Sequence, residues 1–473
     1  MRIANSWMCF LLLAGASSLR ADEPPAPTET LVKLSLSPKA APRPSLRYQL
    51  LPRLSELRSG NSVHGFLKCF AEQNNFFFSK EANAERDKLR EMPLSELRKE
   101  KYAPYGGSAL RRADDAALLD RTDWQILPEM RRDGFYTLLP EVQQLRLLAD
   151  CLRIRLRQQI AHGRYDEALV TARTMLRLGQ TMKHHPTLIA QLVGLAITHL
   201  TLTALEEMIA QPDAPNLYWA LSYLPDPLFT LRMGFDGEIM LTEVELDRIT
   251  DEPLKPAALK ELIQKLDELL NQGRERGVPE VPELEKQLAK RVAEKKQLEL
   301  ARSYLREMGL SAAKLEALPE RQLLLLEGRY RFLEQRDDMI KWMMLGYPQA
   351  ESRMLVKDGK LTWPTTPEFE RSLFAPIMTQ AFKVRQAQVR IQQRLALLRL
   401  AEAIRLHAAK TGKLPESLDA IEVPAPVDPV TGKAFTYALK DGVAYIRGAI
   451  AKGQEKNYVF RVRYELTLRK PGS

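Results

Sequence analysis

The sequence predicts a mainly α-helical protein. It reads as a multi-helix bundle or array with a charged helical hairpin and a small C-terminal module of one helix and an antiparallel sheet. Three observations predict it. Residues 137–211 form three consecutive helices with little polar interruption. Leu145, Leu148, Leu152, Leu156 and Ile160 share one face of the first, and Ala168, Ala172, Met175 and Leu176 one face of the second. Leu188, Leu192, Leu195, His199 and Leu202 form one row of the third. Residues 254–308 set the inward rows Leu262, Leu266, Leu269 and Leu284, Leu288, Val292, Leu298 against Glu and Lys at helical spacing. Past Pro424 the period shortens to two, in runs divided by turns such as Asp441-Gly442.

The elements follow in order. Residues 1–21 read as a secretory signal peptide: Arg2 supplies the positive start and residues 7–14 a short apolar run, with small residues behind it. That run is too short to span a bilayer, and Cys9 within it lacks a lipobox. Residues 22–44, rich in Pro, Ala and Thr, read as a disordered tether. A helical domain is expected over 45–365. It opens with a helix on Leu46, Leu50, Leu54 and Leu57, broken at Gly60-Asn61, and a second carrying Phe66, Phe70, Phe77 and Phe78. In the central trio Arg146, Arg153, Arg155 and Arg157 lie on the polar face of the first helix. Gly163 ends that helix, and Pro186 starts the third. The hairpin at about 254–308 is expected to project from the body. A regular helix from Pro319 carries Leu323, Leu326, Tyr330, Leu333, Asp337, Ile340 and Met344 on one seam. Residues 366–473 hold a long helix, bent near its middle, and strands at 434–439, 443–447 and 458–468.

The 473 residues carry 70 Lys and Arg against 60 Asp and Glu, a net charge of +10. The excess is spread thinly, with no aromatic-interleaved basic stripe, RNP-like strand or recognition helix, so specific nucleic-acid binding is not expected. Contact with a polyanion or a membrane surface through the basic face is the one electrostatic reading left. No HExxH, GxSxG, P-loop or GxGxxG is present, and no cofactor is assigned. Beyond the leader no segment reads as a membrane span. Cys69 and Cys151 lie among apolar helix residues and read as free thiols, although an exported protein could pair them.

Two acids break the apolar pattern. Asp337 occupies a seam position that calls for a hydrophobe, and Glu238 lies on the Leu231–Phe235 row. Carboxylates from two helices meeting in a bundle do general acid/base work or hold a metal; the alternative is that each pairs with an arginine, such as Arg232, Arg336 or one from the central helices. Of the histidines, His184-His185 before a proline suggests capping or exposure, and His199 a satisfied core histidine. Asp428 and Asp441 are the acids near the C-terminal turns, available to calcium but too few for a cage of six or more oxygens, so turn formation is the competing role.

Three resemblances bear on the whole. Gly163, Tyr165 and Ala168 resemble the second helix of a tetratricopeptide unit, without a second copy at that period. The run from Arg394 to Tyr437, with LPESLDAI and PVDPVTGKAFTY, resembles the C-terminal half of a type II secretion pseudopilin. That likeness implies a long helix packed on a small sheet. It does not imply pilus assembly, because the polymerising N-terminal helix of that family is missing. The stretches YQLLPRLSELRSGN, HHPTLIAQLVGLAI, ARSYLREMGLSAAKLEALPE and YRFLEQRDDMIKWMMLGYP resemble an uncharacterised family of secreted helical proteins of planctomycete-type bacteria. This implies fold and export and transfers no catalytic residue. The functional expectation is an exported, non-enzymatic scaffold of the periplasm or cell envelope. It would bind envelope proteins through its C-terminal module and hairpin. The alternative is a hydrolase or metal-dependent enzyme using Glu238 and Asp337.

Overall fold

The computed structural model describes residues 28–271, 283–357, 360–370, 372–378 and 381–469. The proposed signal peptide lies outside them. The chain is mainly helical and forms two compact units. The larger takes residues 23–125, 139–234 and 384–473; the smaller takes 126–138 and 235–383. The units therefore do not divide the chain near residue 365.

The larger unit begins with β1 (Thr30–Leu36). Residues 46–57, expected as a helix, hold only a 3-10 turn at Leu54–Glu56, and Leu54 is exposed. Pro52 sits inside that run and pushes Leu51 out of the helical region. Helices α1 (Ser62–Glu72) and α2 (Gly107–Ala117) follow. Phe66, Phe70 and Phe77 are buried as their spacing predicts, while Phe78 is not.

The central trio is α3 (Pro140–Ala161), α4 (Tyr165–Lys183) and α5 (Leu188–Ile209). Leu145, Leu148, Leu152, Leu156 and Ile160 are all fully buried. Gly163, at φ +70°, makes the left-handed turn between α3 and α4. The start of α5 differs from expectation: Thr187, not Pro186, caps it, its side chain accepting from the Ala190 N–H. By length and composition α5 is long and apolar enough to cross a membrane, which corrects the expectation that nothing beyond the leader is; 72% of its most apolar window is buried within the protein.

In the smaller unit α6 (Arg232–Leu246, whose first three residues belong to the larger unit) leads into α7 (Pro256–Asn271), α8 (Leu284–Ala293), α9 (Lys295–Glu307) and α10 (Glu320–Met343). Where a two-helix projecting hairpin is expected, the second arm is broken at Glu294 and most of the inward rows are core, with Leu270 buried in place of the expected Leu269 and Val292 only half-buried. Leu262, Leu266, Leu284, Leu288 and Leu298 join Leu323, Leu325, Leu326 and Phe374 in one buried cluster. The apolar stripes need partners: α10 covers the second arm, and α7 packs on α8. Gln322 of α10 is wholly buried and bonds the Thr250 and Glu252 carbonyls and the Leu254 N–H.

The chain returns to the larger unit along α11 (Ala381–Thr411), then β2 (Thr436–Lys440), β3 (Val443–Arg447) and β4 (Val462–Leu468). The sheet order is β1–β4–β3–β2. Strands β2, β3 and β4 are antiparallel neighbours, as expected. The β2–β3 turn puts Asp441 at φ +50° and Gly442 at φ +73°, both left-handed as a two-residue hairpin turn requires. The fourth strand corrects a larger point. Residues 30–36, taken as part of a disordered tether, pair in parallel with β4 from Thr30↔Val462 to Leu36↔Leu468. Leu34 and Leu36 alternate with the exposed Leu31, Lys33 and Ser35, a period of two that the proline-rich flanks obscured.

Candidate functional site

The acids singled out by sequence have different surroundings. Asp337 is two-thirds exposed, and its carboxylate takes the Arg336 Nε–H at 2.9 Å. The buried member of that neighbouring pair is Arg336, 7% exposed, which also reaches Thr242 at 3.2 Å and Glu243 at 3.4 Å. The seam through Leu323 and Leu326 therefore turns away from the core before it reaches Asp337, and the expectation of a buried acid is overturned. Glu238 is half-buried on α6 and has partners of its own.

Asp428 is buried as a structural knot. One carboxylate oxygen takes the Val430 N–H at 2.9 Å, the other takes the Ala449 N–H at 2.6 Å, and both are 3.0 Å from Gln393 Nε2. Those donors occupy the oxygens that calcium would need. Asp441 is the exposed first residue of the hairpin turn. No group of three or more His, Cys, Asp or Glu among the described residues is placed to hold a metal. Cys69 and Cys151 are free and buried. Burial pushes their thiols up, to about 12 and about 11, so neither is a ready nucleophile. His185, expected at a cap or exposed, is only 1% exposed: its Nδ1 accepts from the Thr187 N–H and lies 3.0 Å from the Thr187 hydroxyl.

The polar chemistry of the larger unit lies elsewhere, in two buried networks that sequence reading missed. In the first, Arg394 of α11 grips both oxygens of Glu206 on α5, Nε at 2.7 Å and Nη2 at 2.6 Å, and the Tyr464 hydroxyl of β4 donates to the same carboxylate. Burial works against the Arg394 charge, and Glu206 more than restores it, leaving the guanidinium pKa raised. Burial and then Glu206 drive the Tyr464 hydroxyl well above its usual value. The signal was present, since the apolar row Leu195, His199, Leu202 continues onto Glu206. In the second network Glu402 and Arg405 have no exposed surface. Arg405 holds Glu402 and donates to the carbonyls of Ser37, Ala214 and Pro215, while Asn216 Nδ2 is 2.7 Å from Glu402. Burial is the larger effect on Glu402 and raises its pKa despite Arg405. On α3, Arg155 and Arg157 are also buried rather than solvated. Arg155 is paired with Asp114 and Arg157 with Glu207.

The larger unit also has an open cleft of about 430 Å³, lined by Arg47, Tyr48, Arg53, Glu56, Asp166 and Arg173 among others. Arg173 Nη1 donates to Glu56 Oε1 at 2.8 Å, and the Arg53 N–H donates to Glu56 Oε2 at 2.8 Å. The Arg53 N–H, ahead of Arg173, lowers the Glu56 pKa and keeps it a weak base. Arg47 spans toward Asp166 at 3.8 Å and lies 5.4 Å from the Tyr48 ring centre. Comparison with protein-family models, curated proteins and solved structures finds no match to this chain.

Proposed function

We propose that this is an exported, non-enzymatic binding protein of the cell envelope, and that the cleft around Tyr48 is its contact site. The observation that carries this reading is the cleft wall. Arg47, Arg53 and Arg173 line the cleft together with the Tyr48 ring, and its two carboxylates, Asp166 and Glu56, already face Arg47 and Arg173. Such a lining holds a polar partner and offers no strong base. Export rests on the sequence of residues 1–21.

The test uses the full chain expressed in a bacterial host with an intact envelope. The expected result is a processed N-terminus in the envelope fraction. A defined set of crosslinked envelope proteins should also be recovered, and Arg173→Glu should lose it while Asp337→Asn keeps it. An unprocessed cytoplasmic chain would defeat the export half. Equal recovery by Arg173→Glu would defeat the cleft.

A further inference from the structure

The larger unit holds more buried positive charge around His199 than its carboxylates answer. Arg390 lies one turn before Arg394 on α11 and is 7% exposed. Its Nε is buried without a hydrogen-bond partner, and its guanidinium carbon stands 5.5 Å from the centre of the Phe460 ring. Burial and then the repulsion of Arg394 both work against its charge. Glu206, the carboxylate of this cluster, is taken by two nitrogens of Arg394 and by Tyr464.

His199 adds a second unanswered donor. Arg394 Nη1 lies 3.5 Å from His199 Nε2. A guanidinium can only donate, so Nε2 accepts and the ring proton sits on Nδ1. That Nδ1 is buried without a partner. Burial, followed by Arg394, Arg390 and Arg153, pushes the ring pKa down to about 3, so the imidazole is neutral. Buried donors without acceptors are expensive, a charged one most of all. An oxyanion is the ligand class that suits such donors, because it accepts several N–H bonds and its geometry matches the arginine fork.

We propose that Arg390 and His199, backed by Arg394, form an oxyanion-binding site against the Tyr458–Phe460 turn, which takes a phosphate or carboxylate group. The probes are inorganic phosphate and succinate, titrated into the full-length protein at constant ionic strength with chloride as the reference anion. At about a hundred times Kd, one of them raises Tm saturably by about 4 °C or more. Arg390→Met abolishes that rise and melts no lower than wild type in chloride, since it removes an unanswered buried charge. Arg390→Lys keeps the charge but loses the fork, and binds the same anion about tenfold more weakly. A response to phosphate alone assigns the site to phosphate groups, and one to succinate alone assigns it to carboxylates. No saturable response to either probe overturns the proposal, as does an unchanged affinity in Arg390→Lys or an unchanged response in Arg390→Met. Arg173→Glu, in the cleft, leaves the response intact, so this site and the cleft fail separately.

Discussion

Arg336 and Asp337 are neighbours in the chain and opposites in environment: the arginine is buried and the aspartate exposed. One step along an α-helix turns a side chain by about 100°, enough to carry it from core to solvent. The same sensitivity to position governs His185. Its ring is closed in, and burial lowers its pKa to about 3. In the unfolded chain it titrates near its ordinary value of about 6.5. Between those values the unfolded state binds a proton that the folded state refuses. Its contribution to stability is therefore complete above about pH 6.5 and falls as the pH drops toward 3, by at most about 1.4 kcal/mol per pH unit. We expect His185→Asn, whose amide oxygen can still accept from Thr187, to flatten the acid side of the stability profile. Denaturant unfolding between pH 7 and pH 4 measures it, and parallel profiles for the two proteins would contradict it.

Helices α4 and α5 meet at glycines. A Cβ on Gly194 would lie 2.8 Å from Met182 Cβ and from the Phe229 ring, and one on Gly179 would lie 2.8 Å from the Thr198 hydroxyl. Helix propensity alone favours Gly194→Ala by about 1 kcal/mol. Overpacking a tight interface costs about 1–3 kcal/mol, and the obstructing atoms belong to a ring and a Cβ rather than to a flexible tip. We expect packing to win, so that Gly194→Ala lowers the unfolding free energy. A gain in denaturant midpoint would show that the interface relaxes. The spacing that makes α4 and α5 amphipathic was legible in the sequence, and so was the glycine that ends α3. Which glycines stand opposite a neighbour was not, because spacing along one helix carries no information about the other. The break of the expected hairpin at Glu294 and its closure onto α10 were hidden for the same reason.

The larger unit is tied together from its two ends. Strand β1 pairs with β4 across almost the entire sequence, and Arg405 bonds the Ser37 carbonyl just beyond β1. A chain lacking residues 22–37 should therefore unfold at markedly lower temperature, since it buries Leu34 and Leu36 nowhere and leaves the β4 edge open. An unchanged Tm would mean that this segment is the tether its composition suggests. The C-terminal module is likewise no detachable piece, because Tyr464 of β4 donates to Glu206 of α5. Point substitutions, rather than removal of residues 410–473, are the proper probes of its surface.

By itself the sequence determined the helical class, the positions of α3, α4, α5 and α10, the β2–β3 turn and the burial of Cys69 and Cys151. All of these follow from short-range periodicity and backbone preference, which act over a few residues. Only the tertiary structure decided that residues 30–36 are a strand, that Asp337 faces solvent, and that Glu206 and Arg394 share one buried site. The β1–β4 pairing and the Glu206–Arg394 pair join residues far apart in the chain. Their energy depends on which groups are brought within hydrogen-bond reach, a property of the folded chain in space.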